Sequence, residues 1–578
     1  MKSPRTIKRS IASFAIAAGL FLLASCATTS LVDEGGERVT ESAYGDYLAA
    51  RFASGMNDVH AAAHYYAAAL EKEPDNDLLR QQAFLSALLA GRIADSANYA
   101  APALGTDSEA NLMRLAIATN ALGKKRYAAA LGVLETGKYG PFNGEVRQLL
   151  RGWAAYGTGD ADKALEYIKS AGEAPVFARI VHLQLALMLD LENRTDEAEG
   201  AYKIAVEPGQ VSDRALYAYG AFLERHGRID EARAVYEKAS HFFAQAPMST
   251  MALTQLNDHK TTKRRPRRLV RNASEGAAEA LYGTSQILAA QAHFDKSLVY
   301  LEMARFINPD HGAAVQLLAR VMEVEKRPED ALRAFASISP KSPYRLDADL
   351  NRARVLFRTD HRDEALTVFR RLAEENPDND RLVTAYADAL RSVNKYKEAL
   401  PIYEQLIARQ GKSTGWQLYF ARGTVLERLG RWRESIGAFR KALEINPDQP
   451  DVLNYLGYTY INAGENLDEG FTLIEKALSL RPNAGYIIDS LGWAHYQLGQ
   501  YEQAVRYLER AVEMEPGEPT ISDHLADAYW QAGRHLEARF QWSHTLSLKP
   551  DDDVDFDLIR DKLENGLRNA PEIANAKP

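Results

Sequence analysis

The sequence is poor in the residues that several kinds of chemistry require. Cys26 is the only cysteine among 578 residues. A single thiol excludes an internal disulfide, a CxxC redox pair and a cysteine-rich zinc site. Glycine (37) and proline (22) are too few for a fibrous or low-complexity chain. Neither sign of charge dominates: 70 basic and 78 acidic residues give a net charge of −8, which makes no general case for nucleic-acid binding. There is no GxSxG, no HExxH, no glycine-rich phosphate loop and no GxGxxG. His524, His535 and His544 are separated by 11 and 9 residues and do not share a close helical face. Nothing in these patterns calls for catalysis, a metal or a cofactor, and the chain reads as a non-enzyme. With 46% apolar residues it is nonetheless too apolar to be wholly disordered.

The longest apolar run, Ile11–Leu23, follows Lys2, Arg5, Lys8 and Arg9. It is too short for a spanning helix, which needs about 20 residues. A basic start before a short apolar stretch is a secretory signal. The run ends in Leu23-Ala24-Ser25-Cys26, which resembles the lipobox of bacterial lipoproteins. That resemblance implies removal of residues 1–25 and lipidation of Cys26. Ala27 in place of an aspartate favours the outer membrane under the sorting rule of such lipoproteins, with the folded body facing the periplasm. Residues 26–42 read as the lipidated tether, polar after the cysteine.

What the chain has in quantity is repetition. Pro447, Pro482, Pro516 and Pro550 fall 35, 34 and 34 residues apart, and Pro309 and Pro377 are 68 apart. Small and aromatic residues precede them at fixed offsets. Unit 485–518 has Leu491-Gly492, Gly499, Ala504, Leu508, Ala511 and Pro516; unit 416–449 has Gly423, Leu426, Gly430, Phe439, Ala442 and Pro447. Ala62, Tyr66 and Ala69, then Ala198, Tyr202 and Ala205, then Ala232, Tyr236 and Ala239 repeat the second half of the pattern. These residues resemble the tetratricopeptide repeat over nearly all of 43–552. The expected fold is all-α: an α-solenoid of about fourteen helix pairs with a C-terminal capping helix. Each helix is marginal alone and is stabilised by stacking on its neighbours. Units between residues 77 and 175 are degenerate and are placed by phase.

The pattern breaks at 243–275, where Lys260, Lys263, Arg264, Arg265, Arg267, Arg268 and Arg271 cluster. We expect this basic insertion to divide an N-terminal array, 43–242, from a C-terminal array, 276–552. It is either a solvated linker or a surface for anionic lipid headgroups or an acidic partner. Residues 553–578 are expected to supply the capping helix, over 555–567, and a tail.

In tetratricopeptide repeats the first helix of each pair lines a concave face. By that resemblance Asn454, Tyr458, Tyr486, Asp489, Trp493, Tyr496, Asp523, Asp527 and Trp530 face the groove. Aromatic residues there supply contact area, and carboxylates select a basic segment. Trp493 and Tyr496 alternatively pack between helices. The stretches Ile488–Trp493 and Asp523–Trp542 are similar to the ends of large multi-repeat outer-membrane lipoproteins of Gram-negative bacteria. That resemblance implies a scaffold recruiting envelope proteins. One type of member brings peptidoglycan hydrolases to a periplasmic carboxyl-terminal processing protease. The alternative role is in outer-membrane assembly or polysaccharide export.

Overall fold

The computed structural model describes residues 42–104, 111–172, 175–207, 212–243, 246–257, 266–549 and 554–567. Cys26, the signal, most of the tether, Lys260, Lys263, Arg264, Arg265 and the tail after residue 567 lie outside the described residues. Among those described, every regular element is helical. Fourteen helix–turn–helix pairs follow one another, with two single helices, Pro247–Asn257 and Phe556–Asn565. Polar side chains start several of them: Asp58, Asn76, Asp160, Ser212, Asn272 and Asp555 each accept a backbone N–H of the first turn. Pro377, Pro447, Pro482 and Pro516 stand just past the ends of second helices, where a missing N–H is harmless.

The turn inside each pair shows the register. Left-handed residues occur at 57, 91, 125, 159, 193 and 227, each 34 after the last, and again at 292, 326, 360 and 394. The units between 77 and 175 are therefore in phase although their motif residues are missing. The extra residue near Gly464 is accommodated by two left-handed residues, Gly464 and Asn466. Small residues in first helices let backbones close on large partners. A Cβ at Gly220 would enter the ring of Tyr236, and one at Gly423 the ring of Phe439; both rings are buried.

The chain forms two compact units, 1–355 and 356–578, parting within helix Arg345–Arg358. This differs from the division expected at 243–275, and packing gives the reason. In the first unit, helix Ala273–Ala290 packs on Pro141–Gly157, Ala178–Leu191 and Asn111–Gly123. Its partner Phe294–Ile307 packs on Asn111–Gly123, Asp77–Leu89 and Ile93–Ala100. The pair after the insertion thus fills the inside of the preceding array. Ala273–Ala290 is buried nearly all round, as expected of a helix enclosed by others. A Cβ at Gly276 would meet Trp153, whose Nε1–H donates to Gln184 at 2.7 Å. Ser274 Oγ donates to the Leu122 carbonyl at 2.9 Å, and the Tyr300 hydroxyl donates to Asn143. The first pair also meets a late one: Asn57 donates to the Glu325 carbonyl at 2.6 Å, and His60 Nε2 lies 3.0 Å from Asp330. One hydrophobic core runs from Phe84 to Val355.

Nor is 243–275 wholly a loop. Pro247–Asn257 is a helix whose start is held by Asp213, which accepts from the Met248 and Ser249 N–H groups and the Ser249 hydroxyl. In the second unit, repeat follows repeat, with separate small cores between neighbouring pairs.

Candidate protein-binding groove

Positions three and four apart share one helix face, so the expected groove residues fall in rows on three successive first helices. These are Pro450–Ala463, Gly485–Gln497 and Pro519–Gln531. The structure joins the middle of those rows into an aromatic band. The Trp493 ring stacks on Tyr496 (centroids 4.6 Å apart) and on His524 (4.0 Å). Its Nε1–H donates to Asn462 at 3.2 Å. Asp489, buried, lies 2.9 Å from His524 Nδ1. Burial alone would lower the His524 pKa, but Asp489 and the nearby Asp523 and Asp527 raise it. Burial pushes the Tyr458 hydroxyl up to about 12. The Tyr486 hydroxyl donates to Asp451 at 2.5 Å and accepts from Arg481 at 2.7 Å.

The two readings of the aromatics separate here. Tyr496 is buried, whereas Trp493, Tyr458 and Tyr486 are partly exposed. Asn454 is buried, and its Oδ1 accepts no hydrogen bond among the described residues. Asn454, expected at the groove, therefore lies beneath its surface rather than on it.

The last row is occupied by the chain itself. Helix Phe556–Asn565, within the expected 555–567, places Lys562 Nζ between Asp523 (2.9 Å) and Asp527 (2.8 Å). Trp542 Nε1–H donates to Asp527 at 3.0 Å. Burial and the Asp523 charge push Asp527 up to about 6, against the opposing pull of Lys562. Gly566 lies so close to Trp530 that a Cβ there would enter the indole. Asp523, Asp527 and Trp530 are therefore covered rather than open. The sequence missed this because the C-terminal helix reads simply as an end cap; its single inward lysine at the buried step of the helix was the signal.

The basic segment is likewise partly committed. Arg268 lies 3.2 Å from Asp190 and also donates to Asn193, and Arg271 pairs with Glu275. Arg267 is exposed, with its carbonyl accepting from Tyr217 at 3.2 Å. These three arginines border a cavity of about 740 Å³ in the first unit. Among the described residues, no group of three His, Cys, Asp or Glu side chains forms a metal site, and no helix is long and apolar enough to cross a membrane.

Comparison with known proteins agrees with the repeat geometry. Family models described as tetratricopeptide repeat match residues 149–213, 189–247, 324–389, 416–449, 438–469 and 490–543. The TPR repeat-containing protein PA4667 of Pseudomonas aeruginosa is 28% identical over 192 residues, 33% of this chain and 32% of that protein. Cellulose synthase operon protein C of Escherichia coli is 23% identical over 219 residues, 35% of this chain and 19% of that one. A probable N-acetylglucosaminyltransferase of Solanum lycopersicum, SPINDLY, is 31% identical over 104 residues, 18% of this chain and 11% of that protein. The matches thus span under a third of each relative's length. Among solved structures, the Cut9–Hcn1 complex has 14% identity and a TM-score of 0.37, covering 92% of this chain and 97% of that one. A tetratricopeptide repeat protein from Parabacteroides merdae has 14% identity and a TM-score of 0.39, covering 44% and 97%. The chain carries tetratricopeptide repeats, a scaffold for protein–protein interaction, in both of its compact units.

Proposed function

We propose that the protein is a non-enzymatic adaptor of the cell envelope, held to the outer membrane by lipid on Cys26 and recruiting envelope proteins to its second unit. The lipobox-like Leu23–Cys26 and the polar tether support the anchor. The observation that carries the binding reading is the partly exposed aromatic band of Tyr458, Tyr486 and Trp493 on two successive first helices. That band offers aromatic contact area. The carboxylates, by contrast, are spent on His524 and Lys562, so selection of a basic segment is not part of this reading. The first array is a less suitable receptor, because its inside is filled by the Ala273–Ile307 pair. The resemblance to multi-repeat lipoproteins suggests a finer role, in which the protein brings peptidoglycan hydrolases to a periplasmic carboxyl-terminal processing protease. The 219-residue match to cellulose synthase operon protein C favours a second reading, service in polysaccharide export.

Crosslinking in intact cells, followed by purification and mass spectrometry, tests both. A Tyr458→Ala/Trp493→Ala variant with unchanged circular dichroism should lose a protease and wall hydrolases that the parent captures. Export components in their place would favour the second reading. Full retention of partners by the variant would refute the groove assignment.

A further inference from the structure

The first described helix, Ala43–Gly55, buries Ala43, Ala50 and Ala53 and turns its other side outward. Tyr44, Leu48, Phe52 and Met56 are 65%, 47%, 73% and 68% exposed. They recur at every fourth residue and form one ridge. Register explains the exposure. In later pairs the positions matching Leu48 and Phe52 are buried at Leu150 and Ala154, Gln184 and Met188, and Ala218 and Phe222, and partly buried at Gln82 and Asn120. The ridge is thus a stacking face on which no repeat packs among the described residues. A terminal repeat in water normally shows a polar outer face. Residues 27–42 hold only three large apolar residues, Leu31, Val32 and Val39.

We infer that this ridge lies on the bilayer that holds Cys26, as an interfacial helix. The inference rests on the lipid-anchor reading above. Ser42 is sixteen residues from Cys26. At about 3.3–3.6 Å per residue the first helix stays within roughly 55 Å of the anchor. Confinement of this kind sets an effective concentration near the millimolar range, so a short ridge with little affinity of its own is enough to orient the body. The side chains suit an interface. Tyr44 favours the headgroup level, and Leu48, Phe52 and Met56 the acyl boundary. Exposed Arg51, on the flank of the ridge, is placed to meet lipid phosphate.

The test uses the full-length acylated protein in vesicles of phosphatidylethanolamine and phosphatidylglycerol, 3:1. Benzoylphenylalanine replaces Phe52 or, as a control, exposed Leu536. Irradiation should give at least fivefold more phospholipid adduct from position 52 than from 536. In an otherwise identical Cys26→Ser protein, Leu48→Ser/Phe52→Ser should weaken vesicle binding by about tenfold or more. If the acylated protein floats with vesicles but position 52 gives no lipid adduct, or gives covalent dimers, the inference falls while the anchor stands. Equal adducts at both positions also refute it. If the protein carries no acyl chain and does not float, the anchor reading falls and takes this inference with it.

Discussion

Ala292 and Lys326 hold φ near 57° and 58° in turns where other pairs place glycine, as at Gly227 and Gly533. A left-handed conformation costs an L-residue about 1–2 kcal/mol, while glycine loses about 0.5–1 kcal/mol of chain entropy on folding. Ala292→Gly, at an exposed site, should therefore stabilise the first unit by about 0.5–1 kcal/mol, and Gly227→Ala should cost a similar amount. A urea midpoint that falls in the Ala292→Gly protein would contradict this. Titration at the same scale separates two buried sites. His311 Nδ1 accepts the Ala314 N–H at 3.1 Å, so Nε2 carries the proton given to Glu279 at 2.9 Å. Burial and then Arg214 lower the His311 pKa. The folded state refuses a proton that the unfolded state takes, and stability from this group is lost as pH falls below about 6.5. At Glu279 burial works against the shift, but Arg214 and His311 hold the pKa well below the carboxylate range. Its contribution is present above the ordinary carboxylate pKa and is lost as pH falls further. His524 has the opposite sign: its raised pKa gives stability that is complete below about 6.5 and lost as pH rises through the folded value. Hydrogen exchange corrected for intrinsic rates should show 273–290 less protected at pH 5.5 than at 7.5, and 519–531 no less protected. Loss of protection at both would defeat the assignment.

At the scale of elements, the second helices outside 77–175 were legible because small and aromatic residues keep one phase in them, as Ala198, Tyr202 and Ala205 do. The first helices at 77–175 were readable by phase alone, since their turns use Lys125 or Gly159 without a shared motif. What the repeat pattern did not contain was the place of Ala273–Ala290. Its small residues fit the repeat signature and an enclosed helix equally well, and packing across 120 residues leaves no mark on a 34-residue period. The same limit hid the covering of Asp523 and Asp527, because Lys562 meets them from 39 and 35 residues away. Two glycines distinguish local from tertiary demands. Gly437, exposed within Trp432–Ile445, has nothing near its would-be Cβ, and Gly437→Ala should add about 0.5–1 kcal/mol through helix propensity. Gly276→Ala gains the same propensity but drives a methyl into Trp153, and overpacking of that kind costs about 1–3 kcal/mol. Thermal melts should move in opposite directions. A rise for Gly276→Ala would mean that Trp153 has room the packing does not show.

For the whole molecule, the contrast lies between a unit dominated by one large core, with a smaller cluster over Ala43–Ala83, and a unit of many small ones. A stack of repeats in which each contacts only its neighbours loses its ends first, since stability is a sum of local terms. The second unit is of this kind, with clusters such as Leu453–Ala494 and Tyr496–Ala528 lying between successive pairs. The first unit is not, because the Ala273–Ile307 pair packs on pairs spanning 77–191 and the Asn57–Glu325 contact joins its ends. Removing any one of those pairs would expose the enclosed pair as well, so the unit should open as a block. Native-state hydrogen exchange in low urea distinguishes the cases. Amides of 111–123, 141–157 and 273–290 should converge on one opening free energy with one urea dependence. Those of 380–545 should spread, with the interior pairs most protected. A graded series from residue 43 inward would show that the enclosed pair contributes no cooperativity. The first unit would then be an open stack, and the reason for placing the receptor groove in the second unit would be lost.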